Sequence, residues 1–159
     1  MVTQHEPDWV LLNYRIPREP STPRITVWRK LKDLGVAQLG DGLVALPHDA
    51  RTKEHLEWIA ERVREADGEA TLWVARPASR RQGADLADQL RQARDREFDE
   101  LRAEIEAEAS PTIRSVKRWR RQWQRISRRD YFRAPQRDAA RLAIATAAEQ
   151  AGLSTGARR

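Results

Sequence analysis

The chain has 159 residues, of which 40% are hydrophobic and 34% charged, with a net charge of +6 and a pI near 10.4. That length suits one domain with its own core and a helical appendage, and argues against two full domains. Cysteine is absent, which excludes a disulfide framework and any thiolate metal or redox centre, and no apolar run approaches the ~18 residues that a membrane-spanning helix needs.

The opening MVTQHEPDW is polar and does not read as a secretory signal, so a cytoplasmic location is expected. Trp9 to Ile16 (WVLLNYRI) is nearly continuous in apolar residues, as in a strand central to its sheet. After the Pro17 to Pro20 break, Thr22 is the predicted N-cap of a first helix, with Pro23 at its first position and Gly35 as its stop. Val27, Trp28, Leu31 and Leu34 mark its buried face. Val36 to Leu39 and Leu43 to Leu46 flank Gly40-Asp41-Gly42 and predict a hairpin. Asp49 is the predicted N-cap of a second helix reaching Gly68, with Leu56, Ile59, Ala60 and Val63 at core spacing and Trp58 almost opposite them. Glu69 to Ala75 completes a β-α-β-β-α-β order over residues 8–77. The expected fold is therefore α+β, a ferredoxin-like or split βαβ domain whose four antiparallel strands carry both helices on one face. Its other face then needs a cover or a partner. Trp9, Trp28 and Trp73 are expected in the core, whereas Trp58 is expected to touch the C-terminal helices or another subunit.

Residues 78–152 predict a helical extension of about three helices. Ala84 to Ala109 carries a broken apolar stripe of Leu86, Leu90, Phe98, Leu101 and Ile105 among charges of both signs. Ser110 as N-cap and Pro111 at the first position start the next helix, a basic helix over 111–129 within a helical stretch from Ile113 to Arg133. At about 100° per residue, Arg114, Arg118, Arg121, Arg125 and Arg128 form one narrow stripe, and Ile113, Val116, Trp119, Trp123 and Ile126 gather opposite. In the next four residues, Asp130 is expected to pair with a neighbouring Arg and order the chain between two helices while Tyr131 and Phe132 pack. A last helix runs from near Pro135 to Gly152 with Ala139, Leu142, Ala143 and Thr146 facing inward. Residues 153–159 read as a disordered tail.

Residues 110–141 hold eleven Arg or Lys against two Asp, a local +9 that leaves −3 for the rest of the chain. Such segregation points to a binding surface, and the planar guanidinium fork matches phosphate oxygens better than an ammonium does. The expected partner is double-stranded DNA, gripped through Arg114, Lys117, Arg118, Arg121, Arg125, Arg128 and Arg129. Seven phosphate contacts predict a log–log salt slope of about −6, from ~0.9 per contact. Arg24, Arg29, Lys30 and Lys32 on the first helix supply a second basic set. Trp119 and Trp123 are read as docking residues rather than base-stacking ones. A homodimer is expected because the small open sheet face invites a partner.

No catalytic residue, metal ligand or cofactor is predicted. His5, His48 and His55 have no ligand-like pairing, and there is neither a Gly-rich phosphate loop nor a nucleophile elbow. The alternatives are a structural or dimerisation module, in which the stripe meets an acidic helix such as Asp95 to Glu108 of another copy, and a ferredoxin-like nuclease. The nuclease would need a carboxylate at the end of the first strand, where the chain has Asn13-Tyr14-Arg15-Ile16.

Several segments in order carry a family resemblance: Trp9-Val-Leu-Leu, Pro-Ser-Thr-Pro-Arg leading into Val27-Trp28-Arg29-Lys30-Leu31, Gly40-Asp-Gly-Leu-Val-Ala-Leu-Pro47, Leu56-Glu-Trp-Ile59 and Arg129-Asp-Tyr-Phe132. From about Trp9 to Ala151 the chain resembles the N-terminal domain of ChrB, the regulatory protein of bacterial chromate-resistance operons. The sheet portion is also similar to the C-terminal domain of the phenylacetate-pathway repressor PaaX and to the ferredoxin-like CRISPR adaptation nuclease. The resemblance implies a transcriptional regulator of chromate resistance. ChrB proteins usually continue into a second domain with no counterpart here, so chromate, or a separate chromate-sensing polypeptide, is an implied partner. Arg128 and Arg129, taken to lie near a helix start, are the candidate oxyanion ligands.

Overall fold

The computed structural model describes residues 7–153. Its elements are β1 (Trp9–Arg15), α1 (Ser21–Leu34), β2 (Ala37–Gly40), β3 (Leu43–Pro47), α2 (Ala50–Glu65), β4 (Glu69–Ala75), α3 (Arg80–Ala107), α4 (Ile113–Ser127) and α5 (Arg137–Gln150). They form two compact units divided in sequence after Leu90, within the continuous helix α3.

The first unit is an α+β structure around one four-stranded antiparallel sheet in the order β2-β3-β1-β4. The apolar run of β1 is explained by its place: it pairs with β3 on one side and β4 on the other. The register puts Val10 and Leu12 on the same face as Leu46 and Val44, and all four are fully buried. The opposite face is also closed at its centre, because Trp9, Ala37 and Ala45 are buried there. One fully open face was expected; its exposed part includes Asn13 of β1 and Thr71 and Trp73 of the edge strand β4.

The helices of this unit stop and start for identifiable reasons. Asp49 caps α2 by accepting from Thr52 N–H at 2.7 Å, while the Asp49 N–H donates to Thr52 Oγ1 at 3.0 Å; this capping box satisfies two otherwise orphaned donors. Leu56, Ile59, Ala60 and Val63 are buried as their spacing predicts, and α2 packs against β1, β4 and α1. Gly68 has no room for a side chain, since a Cβ would lie 2.4 Å from the Arg15 carbonyl oxygen.

Two expectations for α1 are corrected. It begins at Ser21 after Pro20, without a side-chain cap, so Thr22 lies inside the helix. Its buried face is Val27 and Leu31, while Trp28 is exposed. Trp28 directly follows Val27 in sequence and is therefore turned about 100° away from it. Of the three tryptophans expected in the core, Trp9 is there, and Trp28 and Trp73 are not.

In the second unit Phe98, Leu101 and Ile105 of α3, Val116, Trp119 and Ile126 of α4, and Ala140, Ile144, Ala147 and Ala148 of α5 make one buried cluster, with Ala134 between α4 and α5. The inward face of α5 differs from expectation. Leu142 and Thr146 are exposed, and the docked stripe is Ala140, Ile144, Ala147 and Ala148, at i, i+4, i+7 and i+8. Small alanines let α5 approach closely, which outweighs the larger apolar surface of Leu142. At its end Gly152 takes a positive φ, and Leu153 N–H donates to the Ala148 carbonyl at 2.9 Å. This is a Schellman stop. Leu153, assigned to the tail from sequence, packs against the cluster; residues 154–159 lie outside the described residues.

Candidate nucleic-acid interface

The candidate interface is the exposed face of α4, which lies wholly in the second unit. Its start is set by Thr112 rather than Ser110. Thr112 Oγ1 accepts from Ser115 N–H at 3.1 Å, and Thr112 N–H donates to Ser115 Oγ at 2.9 Å. This reciprocal cap outcompetes the Ser110–Pro111 signal because it satisfies donors at both positions. The helix ends at Ser127, with Arg128 as C-cap, short of the predicted stretch to Arg133.

The apolar face holds the helix in place. Val116, Trp119 and Ile126 are buried and Trp123 is partly buried, so both tryptophans dock as their position opposite the arginines implies. Trp119 Nε1 donates to Glu104 Oε1 at 3.0 Å, and Trp123 Nε1 donates to the Arg137 carbonyl at 3.0 Å. Phe98 meets Trp123 in a tilted ring contact at 6.2 Å. Ile113 is the exception, about half exposed, because it sits about 100° around the helix from the centre of the other four.

The opposite face is cationic. Arg114, Lys117, Arg121, Arg125 and Arg128 are exposed, and among the described residues none of their side chains is in an ion pair. From Arg114 to Arg128 the stripe spans about 21 Å at 1.5 Å per residue. Arg118 is different: its Nη2 lies 3.0 Å from Glu104 Oε1 and 3.8 Å from Glu108 Oε2, and its guanidinium stands 5.6 Å from the centre of the Trp119 ring. Glu104 thus ties together one stripe residue and one docking residue.

Arg129 does not extend the stripe. Its side chain is largely buried, pairs with Glu97, and donates to the Arg125 carbonyl at 3.3 Å. Glu97 is shared with Arg94 Nε at 2.8 Å. Burial holds the Arg94 pKa below its ordinary value, opposed by the Glu97 charge. The clue was in the sequence: Arg94 and Glu97 fall within the Phe98–Leu101–Ile105 apolar stripe of α3, where charges require partners. Arg128 and Arg129 also follow the end of α4 rather than a helix start. Backbone carbonyls, not free N–H groups, crowd that end, which disfavours an anion there.

The Arg-Asp-Tyr-Phe segment orders the connection between α4 and α5. The Asp130 carboxylate is fully buried, pairs with Arg137 Nη1 at 3.2 Å and accepts from Ala134 N–H at 3.0 Å. Arg133 adopts φ 51° within this turn. Asp95 of α3 accepts from Gln136 N–H at 2.7 Å and holds the start of α5. Sequence reasoning anticipated the role of Asp130 but not that of Asp95. A groove of about 420 Å³ between α3 and α4, lined by Glu97, Glu100, Arg118, Arg121, Gln122, Arg125, Ile126 and Arg129, completes the cationic side.

The family model described as "Protein ChrB, N-terminal" matches residues 24–110, more than half of the chain. The chain belongs to the ChrB N-terminal family. A curated relative, "Protein ChrB" of Cupriavidus metallidurans, is 31% identical over 80 residues. Those residues are 50% of this chain and 25% of the relative, so the match spans a quarter of the relative's length. No solved structure matches. The ChrB match begins within α1, takes in β2 to α3 and stops before α4. The basic helix therefore rests on its own geometry, and the family relationship rests on the part of the sheet unit that follows β1 and on the long helix. Among the described residues there is no helix long and apolar enough to cross a membrane, and no cluster of three or more His, Cys, Asp or Glu able to hold a metal.

Proposed function

We propose that this chain is the DNA-binding or assembly half of a regulator of a chromate-resistance operon, and that α4 lies against the phosphate backbone of double-stranded DNA. The observation that carries the reading is the docked helix with one stripe of five exposed cations along about 21 Å, none of them in an ion pair among the described residues. Membership in the ChrB family supplies the regulatory context. The sheet order β2-β3-β1-β4, with a helix after β1 and another after β3, supports a ferredoxin-like scaffold over residues 8–77, followed in sequence by the helical extension over residues 78–152. The functional unit is a homodimer in the cytoplasm, matched to a twofold operator, and chromate or a separate chromate-sensing polypeptide supplies the signal. The role is not enzymatic. Asn13, Tyr14 and Arg15 at the end of β1 supply no carboxylate for a nuclease metal.

The geometry refines the expected salt dependence. Arg129 is committed to Glu97, and Arg118 is shared with Glu104 and Glu108. Five remaining contacts give a log–log slope of about −4.5 at ~0.9 per phosphate. The same pairs weaken the rival assembly reading, since α3 carboxylates that would meet the stripe of another copy already serve their own chain.

The test is anisotropy titration of a labelled duplex from the chain's own operon promoter across a salt series, with a scrambled duplex beside it. Arg121→Glu/Arg125→Glu should abolish promoter binding, and Arg121→Ala should flatten the slope by about 0.9. Arg118→Ala should cost less than Arg121→Ala. Weak binding that ignores the double change would overturn the DNA reading and favour assembly.

A further inference from the structure

Away from α4, the start of α1 carries an aromatic groove that the proposed duplex contact does not use. Tyr14, Ile16, Ser21, Arg24, Ile25 and Trp28 line about 370 Å³ of open space within the first unit. Trp28 is 56% exposed and Ile25 46%. Arg24 and Lys32 stand four residues before and after Trp28, on the same helix face, and Lys32 Nζ lies 5.0 Å from the centre of the indole ring. With Arg29 and Lys30 against Asp33, α1 carries a net +3. A flat π surface exposed to solvent, beside an apolar recess and bracketed by cations, is the combination that stacks a base while neutralising the phosphates next to it. Trp58 on α2 is just as exposed, yet no cation is placed over its ring among the described contacts. That makes it an internal comparison.

We propose that this groove binds an unpaired nucleotide of a single-stranded nucleic acid, its base stacked on Trp28 and its flanking phosphates held by Arg24 and Lys32. The site is independent of α4. An acidic protein segment would satisfy the charges but would leave the flat aromatic surface unmatched, so the single strand is the better fit.

The experiment uses the full chain carrying Arg121→Glu/Arg125→Glu, which removes the α4 contribution, and follows the anisotropy of a labelled eight-residue oligothymidine at low salt. Trp28→Ala should weaken binding roughly 5- to 150-fold, the range for loss of one stacked base. Trp28→Phe, which keeps a ring, should stay closer to the parent, and Trp58→Ala should match it. Arg24→Ala and Lys32→Ala should each flatten the log–log salt slope by about 0.7, the single-strand value per phosphate. Because Trp28 is exposed, circular dichroism should show each variant folded. Equal affinity of parent and Trp28→Ala would overturn the proposal, as would equal losses from Trp28→Ala and Trp58→Ala. Displacement of the oligonucleotide by polyglutamate as readily as by unlabelled oligothymidine would overturn it in favour of an acidic protein partner.

Discussion

In residues 7–90 the buried side chains are aliphatic apart from Trp9 and Thr52, and Thr52 serves the cap of α2. In residues 91–153 the core joins aliphatic side chains, Leu101, Ile105, Val116, Ile126 and Ile144, to large rings, Phe98 and Trp119 with the partly buried Trp123, and to the alanines of α5. Buried or half-buried polar groups fasten them: Glu104 to the Trp119 indole, Asp130 to Arg137, and Asp95 to the start of α5. The first unit is packed almost wholly by aliphatic side chains, whereas the second adds large rings and polar pairs that also position the cationic stripe. A large loss of stability and a loss of DNA contact should therefore coincide in the second unit and separate in the first.

The largest expected effect comes from Trp119→Ala, which empties a fully buried site and leaves Glu104 without its indole donor. Loss of about 3–5 kcal/mol is expected from the cavity, read as a lower urea midpoint, together with loss of promoter binding because α4 is no longer held. Leu56→Ala in the first unit should cost about 2–5 kcal/mol and leave the α4-dependent salt slope intact at temperatures where the protein remains folded. If Leu56→Ala removed DNA binding as completely as Trp119→Ala while the protein stayed folded, the contrast between the units would fail.

A smaller effect, specific to the second unit, is expected from Asp130→Ala. The buried carboxylate holds Arg137 and the Ala134 N–H at once, and hydrogen bonds to charged groups contribute about 1.5–3 kcal/mol each before relaxation. A net loss of about 2–3 kcal/mol is expected. Asp130→Asn should recover part of it, since its amide oxygen still accepts from Ala134 N–H. Hydrogen exchange at Ala134 and in the first turn of α5 would locate the loss; protection unchanged there would contradict the role given to Asp130.

How much of this was legible in the sequence follows from the same contrast. The first unit was read almost element by element because its signals are local: the apolar run of β1, Gly40-Asp41-Gly42 in the hairpin, Asp49 ahead of α2, and Pro and Gly at the ends. Its misreadings were the Thr22 cap and two tryptophans, Trp28 and Trp73, where residue type suggested burial while helical phase and an edge-strand position decided exposure. In the second unit the amphipathic division of α4 was plain, because periodicity reports which side docks. Which cations remain free was not plain. Arg129 and Arg118 have their partners on α3, at Glu97, Glu104 and Glu108, and pairing across helices leaves no mark on the spacing of either helix. The α5 face was missed for a related reason. Leu142 outweighs alanine in any count of apolar residues, but the packing selects the side that lets the backbone come close.

The smallest effect belongs to the cap of α2 and sharpens the comparison through pH. Backbone donation from Thr52 holds the Asp49 carboxyl below its usual value, partial burial opposes that shift, and the Thr52 side chain and Arg51 reinforce it. A carboxyl whose folded pKa is depressed stabilises the fold fully above its unfolded value of about 3.9. That contribution disappears as the pH falls through the lower folded value. Asp49→Ala should cost about 1 kcal/mol at neutral pH, as loss of an N-cap does, and less as the medium is acidified below pH ~4. Asp49→Asn retains an acceptor for Thr52 N–H and should lose only the ionised component, so its deficit against the parent should shrink over the same acid range. Urea melts at pH 7 and pH 3 measure both. A deficit for Asp49→Asn that grew on acidification would mean that the carboxylate is strained rather than stabilised by its cap, and that the first unit depends on buried charge in the way the second does.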